Sequence, residues 1–344
     1  MSPWTRSSLP AAAALLVLWT APAFAQKTDV VVIVNGNEIT GEIKALDKGL
    51  LDYSTDDIGR IKIKWDKVLH LTSSHYFEIE TVSGAKHFGQ LRFTEEPGEL
   101  VVVLTRPVTV PMLSVVRITP VEATFWQRLS GRVDLGLNFT RANHLLEFTT
   151  AFEVKYRGRK WLSKLAGDSY YQTQDSTDGT SRNNLSFDLQ RFLAHKWSAG
   201  GVVSGQQNQQ LELDLRLTTG LTGNHNLIQN NSSMLILTGG LTGNMEEYVG
   251  AEASFNAEIS VGGDFSLFRY DSPKMDIASD LTVFVSVVDL GRVRTNFNWR
   301  VSYEIISDFT VGLRGFHTFD SRPGSQTADN SDYGIYLTLG YSFS

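Results

Sequence analysis

Charged side chains recur at alternate positions through the C-terminal two-thirds of this chain, and they are the residues whose types and spacing could do chemistry. Arg132 and Asp134, Glu147, Glu153 and Lys155, Asp188, Glu212, Asp214 and Arg216, Glu252, Glu258, Arg294, Arg300, Glu304 and Arg314 all take the parity opposite to a set of leucines, valines and aromatic residues. A period of two places them on one face of each strand. On a face walled off from water, mixed signs imply cross-strand ion pairs, because an unpaired buried charge is costly. Arranged as rings around a pore, the same groups would set the selectivity of a permeation path.

Other chemistries find less material. His70, His75 and His87 are scattered without metal-ligand spacing, and there is no cysteine, so disulfides and thiolate metal sites are excluded. His317 takes the apolar parity near a strand end, where a lipid hydrolase would need a serine beside it, and no serine reads as its nucleophile. The sequence therefore leads us to expect no enzyme activity, no catalytic residue, no cofactor and no metal.

The elements that must position these charges are strands. Val133, Leu135, Leu137 and Phe139 alternate with Arg132, Asp134, Gly136 and Asn138; Leu211, Leu213, Leu215 and Leu217 alternate with Glu212, Asp214, Arg216 and Thr218. The chain closes on Tyr333, Ile335, Leu337, Leu339, Tyr341 and Phe343, set against Gly334, Tyr336, Thr338, Gly340 and Ser342. About twelve such segments lie between Phe125 and Ser344, an even number, as a bacterial antiparallel transmembrane β-barrel requires. Arg157 to Arg159, Ala194 to Lys196 and Ile306 to Asp308 read as tight inner turns. Asp175 to Asn183, Gln206 to Gln210 and Asp320 to Ser331 read as outer loops, and Gly223 to Ser232 as an inner connection longer than the rest. A soluble sandwich would show similar alternation. The charge on nearly every polar face and the alternation of short and long connections favour the membrane.

Aromatic residues support that choice. Tyr156, Trp161, Trp197, Tyr303, Phe309, Tyr341 and Phe343 fall at inferred inner ends on the apolar parity, and Phe139, Tyr171, Tyr248 and Tyr333 near outer ends, as interfacial girdles do. Gly334, Tyr341 and Phe343 are the residues of the closing strand expected to be read by a barrel-assembly machinery.

Upstream, residues 1–25 follow the secretory pattern: Arg6, an apolar stretch from Ala11 to Thr20, and Ala23-Phe24-Ala25 before Gln26. Residues 26–122 then carry an internal repeat. Asn35-Gly36 and Ser83-Gly84 each join two short strands, and the offsets of Gly36 to Gly84 and Gly41 to Gly89 (84 − 36, 89 − 41) are both 48. Two small SH3-like or Sm-like β-barrels, packed together in the periplasm, are the expectation, followed by the membrane barrel over 123–344. With 31 basic against 37 acidic residues and no basic block, nucleic acid is excluded as a partner. Mean hydropathy of −0.13 argues against a helical membrane protein but not against a barrel.

The motifs N-G-N-E-I-T-G-E-I from Asn35, I-K-I-K-W-D-K-V from Ile61, F-H-T-F-D-S-R-P from Phe316 and D-Y-G-I-Y-L-T-L-G-Y-S-F from Asp332 resemble the YdiY-like family of salt-induced outer-membrane proteins. The resemblance implies an outer-membrane barrel with no established reaction, so no catalytic residue carries over. Ser344, after the aromatic that normally ends such chains, departs from the pattern. The expected location is the outer membrane of a Gram-negative-type bacterium with the N-terminal module in the periplasm. The expected partners are outer-membrane lipid, the assembly machinery, and a periplasmic protein or peptidoglycan for the module. Two functions fit: a small-solute channel linked to envelope or osmotic stress, or a non-conducting structural protein whose module binds a partner.

Overall fold

The computed structural model describes residues 27–140, 145–174, 177–270, 274–306, 308–324 and 329–343. The export signal expected over 1–25, and Ser344, lie outside them. Nine strands form the N-terminal module: β1 (Asp29–Ile33), β2 (Glu38–Asp47), β3 (Leu50–Ser54), β4 (Arg60–Lys64), β5 (Val68–Thr81), β6 (Lys86–Arg92), β7 (Glu99–Val103), β8 (Pro107–Pro111) and β9 (Val115–Pro120). The repeat is real at this level, since β1 to β4 and β5 to β8 are matching meanders. Each is followed by one turn of 3₁₀ helix, Trp65–Lys67 in the first and Met112–Ser114 in the second.

The two copies are not separate barrels packed together. They share β5, whose first half pairs with β1 (Val30 opposite Thr72) and whose second half pairs with β9 (Ile79 opposite Ile118). One nine-stranded sheet and one core result, with Val31, Leu46, Leu51, Trp65, Ile79, Leu91, Leu100 and Ile118 all buried. The two 3₁₀ turns meet there, the Trp65 indole Nε1 donating to the Met112 carbonyl at 2.7 Å. Asp29 is wholly buried, but it is satisfied: the Ile43 amide donates to its carboxylate at 2.7 Å and the Ser73 hydroxyl donates as well.

Twelve strands follow: β10 (Leu129–Thr140), β11 (Leu145–Arg157), β12 (Trp161–Gln174), β13 (Thr177–Phe192), β14 (Trp197–Asn208), β15 (Leu213–Gln229), β16 (Ser233–Tyr248), β17 (Ser254–Arg269), β18 (Met275–Ser286), β19 (Val293–Ile306), β20 (Phe309–Asp320) and β21 (Ser331–Phe343). Each pairs antiparallel with the next, and β21 returns to β10, with Gly131 opposite Phe343 and Val133 opposite Tyr341, so the sheet closes into a barrel without a free edge. This is the all-β architecture and strand number the sequence led us to expect. Phe316 of β20 lays its ring over its cross-strand partner Gly334 of β21, where a Cβ would sit 2.6 Å from the ring.

Two departures are local. The long connection expected at Gly223 to Ser232 does not exist as a loop: β15 continues to Gln229, a bulge between Asn226 and Ile228 absorbs the irregular spacing, and only residues 230–232 turn. Likewise β13 begins at Thr177, inside the outer loop expected at 175–183.

The module sits across the inner mouth of the barrel and touches all five inner hairpins. Arg157 and Arg159 at the β11–β12 hairpin reach Glu80 and Glu78. Lys196 packs against Gly84, and Asn231 donates to the Val115 carbonyl at 3.0 Å. Lys48 lies over the Phe268 ring at 5.6 Å, and Lys62 pairs with Asp308 at 2.8 Å. Gly49 makes the closest approach. Its φ of +76° and the Asn231 carbonyl, 2.6 Å from where a Cβ would stand, leave room only for glycine.

Candidate functional site

Among the described residues, the lumen gathers a large set of charges away from bulk water. Alternation delivers it there. Leu135, Leu221 and Leu339 keep 52, 74 and 63% of their surface exposed on the outside of the wall, while Asp134, Arg216 and Thr338, one parity away, are buried inside. Three tiers can be distinguished along the barrel axis.

The outer tier is an ion cluster that spans the lumen. Arg216 of β15 donates through Nε to Glu246 of β16 at 2.8 Å and through Nη2 to Asp320 of β20 at 3.2 Å. Arg292, in the loop before β19, donates to Glu246 Oε2 at 2.8 Å and to both oxygens of Asp320 at 3.0 and 2.5 Å. The Tyr248 hydroxyl accepts from Arg216 at 2.9 Å and Arg292 at 3.1 Å. Beside them Arg294 grips Glu258 with two bonds of 2.7 and 2.6 Å. Three guanidiniums face three carboxylates, all buried, so the cluster is neutral and saturated. β15 and β20 lie on nearly opposite walls, and Asn208 of β14 bonds Asp332 of β21 across the same gap at 2.8 Å. Side chains therefore bridge the lumen at its outer end. Outside the cluster, Arg322 ties the loop down through Asp289 at 2.9 Å.

The middle tier is aromatic. Tyr170 packs against Phe316 at 5.7 Å and Tyr336 at 6.2 Å, and the Arg182 guanidinium stands 3.9 Å from the Phe316 ring centre. The inner tier is wetter. Glu153 pairs with Lys155 at 2.8 Å and Lys164 at 3.7 Å, and these three side chains keep between 31 and 40% of their surface exposed. Asp188 stands opposite Lys164 in register.

Of the lumen residues expected from sequence, Arg216, Arg294, Arg300, Arg314, Glu147 and Asp188 fall on the inward parity. Arg300 bonds Asp276 at 2.6 Å, Arg314 reaches Asp134 at 3.4 Å, and Glu147 accepts from Tyr170 at 2.8 Å. Glu304 sits at the inner rim with Lys274 at 2.8 Å. Glu212 and Asp214 do not line the lumen. A 3₁₀ turn at Gln209–Leu211, a left-handed Glu212 (φ 49°) and a bulge between Leu213 and Leu215 reverse the parity, so Leu211 and Leu213 turn inward onto Tyr248 and Asp214 is exposed. Tyr248 is accordingly not a girdle residue but a buried member of the ion cluster. The inner girdle residues Trp161, Trp197, Tyr303, Phe309 and Tyr341 do face outward, as do Tyr171 and Tyr333, and the Phe139 side chain lies outside those described.

Sequence reasoning missed Glu246, Arg292 and Asp320. Parity along β16 would have found Glu246 from Thr242 and Asn244. Asp320 continues the parity of Arg314 and Thr318 but stands at the start of a stretch that reads as an outer loop, and Arg292 lies in a turn where no parity holds. The expectation that His317 lacks a serine is also corrected, since Ser331 Oγ lies 2.9 Å from its Nε2. The cross-strand partners of His317 are Phe297 and Tyr333, and among the described residues no carboxylate or amide orients its other nitrogen.

A second polar centre holds the module in place. Glu80, on β5, is buried at the rim and accepts from Arg157 at 3.1 Å and from Gln229 Nε2 at 2.9 Å, with Arg117 at 3.6 Å. Burial pushes its carboxyl up, but Arg157, Arg117 and the Gln229 amide outweigh that and hold it below the ordinary carboxylate value.

No curated protein matches the chain. Among solved structures it is similar to the NanC porin (TM-score 0.39, 12% identity, 63% of this chain and 99% of that one) and to a bacterial polysaccharide outer membrane secretin (0.34, 9%, 64% and 99%). It is also similar to the β domain of the Bordetella autotransporter BrkA (0.32, 8%, 63% and 98%). At these scores the likenesses add nothing to the barrel geometry. The family described as proteins of unknown function, DUF481, matches residues 133–343, from within β10 to the end of β21, and by that match over more than half its length the chain belongs to this family.

Proposed function

We propose that this protein is an outer-membrane β-barrel whose lumen is braced rather than open, and that it acts as a non-conducting envelope protein with its periplasmic module as the working surface. The membrane placement is supported by a closed sheet whose outward face is apolar and rimmed with Trp, Tyr and Phe, an arrangement that water would penalise and lipid rewards. The observation that carries the closed lumen is the neutral cluster of Arg216, Arg292, Glu246, Asp320 and Tyr248 bridging nearly opposite walls. The module, seated on all five inner hairpins, covers the other end. In this reading the association with envelope or salt stress that the YdiY-like resemblance implies works through the module and its periplasmic partner, with no reaction catalysed.

One observation favours a small-solute channel as the second reading. The inner tier keeps partly exposed, mixed charges, as a solvated vestibule would, and the Lys62–Asp308 contact under the module is itself half-exposed and therefore weak. Planar-bilayer recording of the purified protein separates the two. The braced barrel gives no steps in the full chain or after removal of residues 27–122, and opens only when Arg292→Gln unlatches the outer cluster. Discrete conductance of the unaltered full chain would overturn it in favour of the channel.

A further inference from the structure

The outer face of the wall carries an open groove of about 690 Å³ between β12 and β16. Four of its lining residues stand in one register row: Trp161 is opposite Arg191, Arg191 opposite Ala199, and Ala199 opposite Gly223; Gly239 continues the row beside the lining residues Gly240 and Leu241. The row climbs. Trp161 begins β12 and Arg191 is next to the inner end of β13, whereas Gly223 lies well inside a strand that runs to Gln229, and Gly239 well inside one that starts at Ser233. Barrel strands tilt by roughly 35–45°, so a row perpendicular to them runs from the periplasmic rim up into the hydrocarbon layer. The surface there is open: a Cβ added at Gly223 would meet no atom within 4 Å, and Leu241 stands beside it.

At the rim end stands a cation. Arg191 is exposed on the lipid side, its guanidinium 5.9 Å from the Trp161 ring centre, and among the described residues it has no carboxylate within ion-pair distance. Trp is the residue that settles at the headgroup level, and an arginine on the lipid face there is stable when a phosphate meets it. A basic group at headgroup depth, an aromatic plate beside it and an apolar trough rising from both match the chemistry of one molecule: a phospholipid with an anionic head.

We propose that this groove holds an anionic glycerophospholipid of the periplasmic leaflet, its phosphate on Arg191 and an acyl chain laid along Ala199, Gly223 and Leu241. This rests on the membrane placement proposed above. The test is native mass spectrometry of the full chain, released from detergent and titrated with phosphatidylglycerol or with phosphatidylcholine of the same acyl chains. The unaltered protein retains one lipid and prefers phosphatidylglycerol. Arg191→Gln lowers that preference about fivefold, the factor one basic side chain supplies near an anionic surface. Gly223→Leu fills the trough and abolishes retention of either lipid, yet folds, since the added side chain meets open space. Retention by Gly223→Leu equal to that of the unaltered chain, an unchanged preference in Arg191→Gln, or no retention at all would each overturn the site. Carbonate extraction of the same preparation keeps the failures apart: a chain that stays in the membrane but binds no lipid sinks the groove alone, and a chain that washes off without detergent sinks the membrane placement and the groove together.

Discussion

In the module, Leu46, Ile79 and Ile118 are completely buried, while in the barrel Leu135, Leu221 and Leu339 leave more than half their surface uncovered, although all six sit in strands of the same period. The difference lies in what occupies the other parity. Module strands present the outward side to water and pack one apolar core. Barrel strands turn their apolar side out and put Arg216, Glu246, Glu258, Arg294 and Asp320 where the module puts Trp65 and Leu100. Alternation announces two faces, and it is closure of the sheet on itself that shuts the charged one in.

Breaking a buried ion cluster is the harshest test of that contrast. Glu246→Leu strands Arg216 and Arg292 in the lumen and should cost about 3–5 kcal/mol, read as a lower urea midpoint for the heat-modifiable band. An unchanged midpoint would mean that the lumen accepts apolar filling as the module core does, and the contrast would fail. Next in size, Leu337→Arg places a charge on the outward face near mid-wall and should cost about 2–4 kcal/mol by the same gel assay, whereas Leu337→Met should be nearly silent. Thr338, one residue on, offers no tolerant control, because it is 2% exposed on the lumen side. If Leu337→Arg proved harmless, the outward face would be wet.

The smallest effect sharpens the boundary between the two regions. Glu80 has a carboxyl held below its ordinary value of 4.5, so the stability it gives to docking is fully present above that pH and is lost as pH falls through the depressed value. Hydrogen exchange at the inner hairpins should therefore show the unaltered module docked at pH 7 and loosening below pH 4.5. Glu80→Gln should weaken docking by about 1.5–3 kcal/mol at pH 7 and flatten that acid dependence. Acid profiles that coincide for the two proteins would remove Glu80 from the docking.

Much of this was legible before any coordinates. The closing strand, the strand number and the inward side of Arg216, Arg294 and Arg300 follow from parity, because a closed wall allows each side chain only two directions. Where parity is interrupted, legibility ends. The bulge at Leu213 to Leu215 exchanged the faces of Leu213 and Asp214, and with them misplaced Tyr248. Arg292 was invisible because a turn has no period, and its role depends on Glu246 and Asp320, which are remote in sequence and meet only when the ring closes. In the module the 48-residue repeat was visible from its glycine turns. That β5 belongs to both copies was not, since sharing a strand leaves no trace in a local pattern.

The seating of the module on all five inner hairpins has a mechanical meaning. A thin-walled tube resists stretching far better than it resists being squashed into an oval, because flattening only bends the wall. Fixing the rim at Arg157, Lys196, Asn231, Phe268 and Asp308 to one continuous sheet removes that soft deformation, as a bulkhead does in a hull. In the membrane placement proposed above, lateral pressure from the bilayer is then borne by the module as well as by the wall.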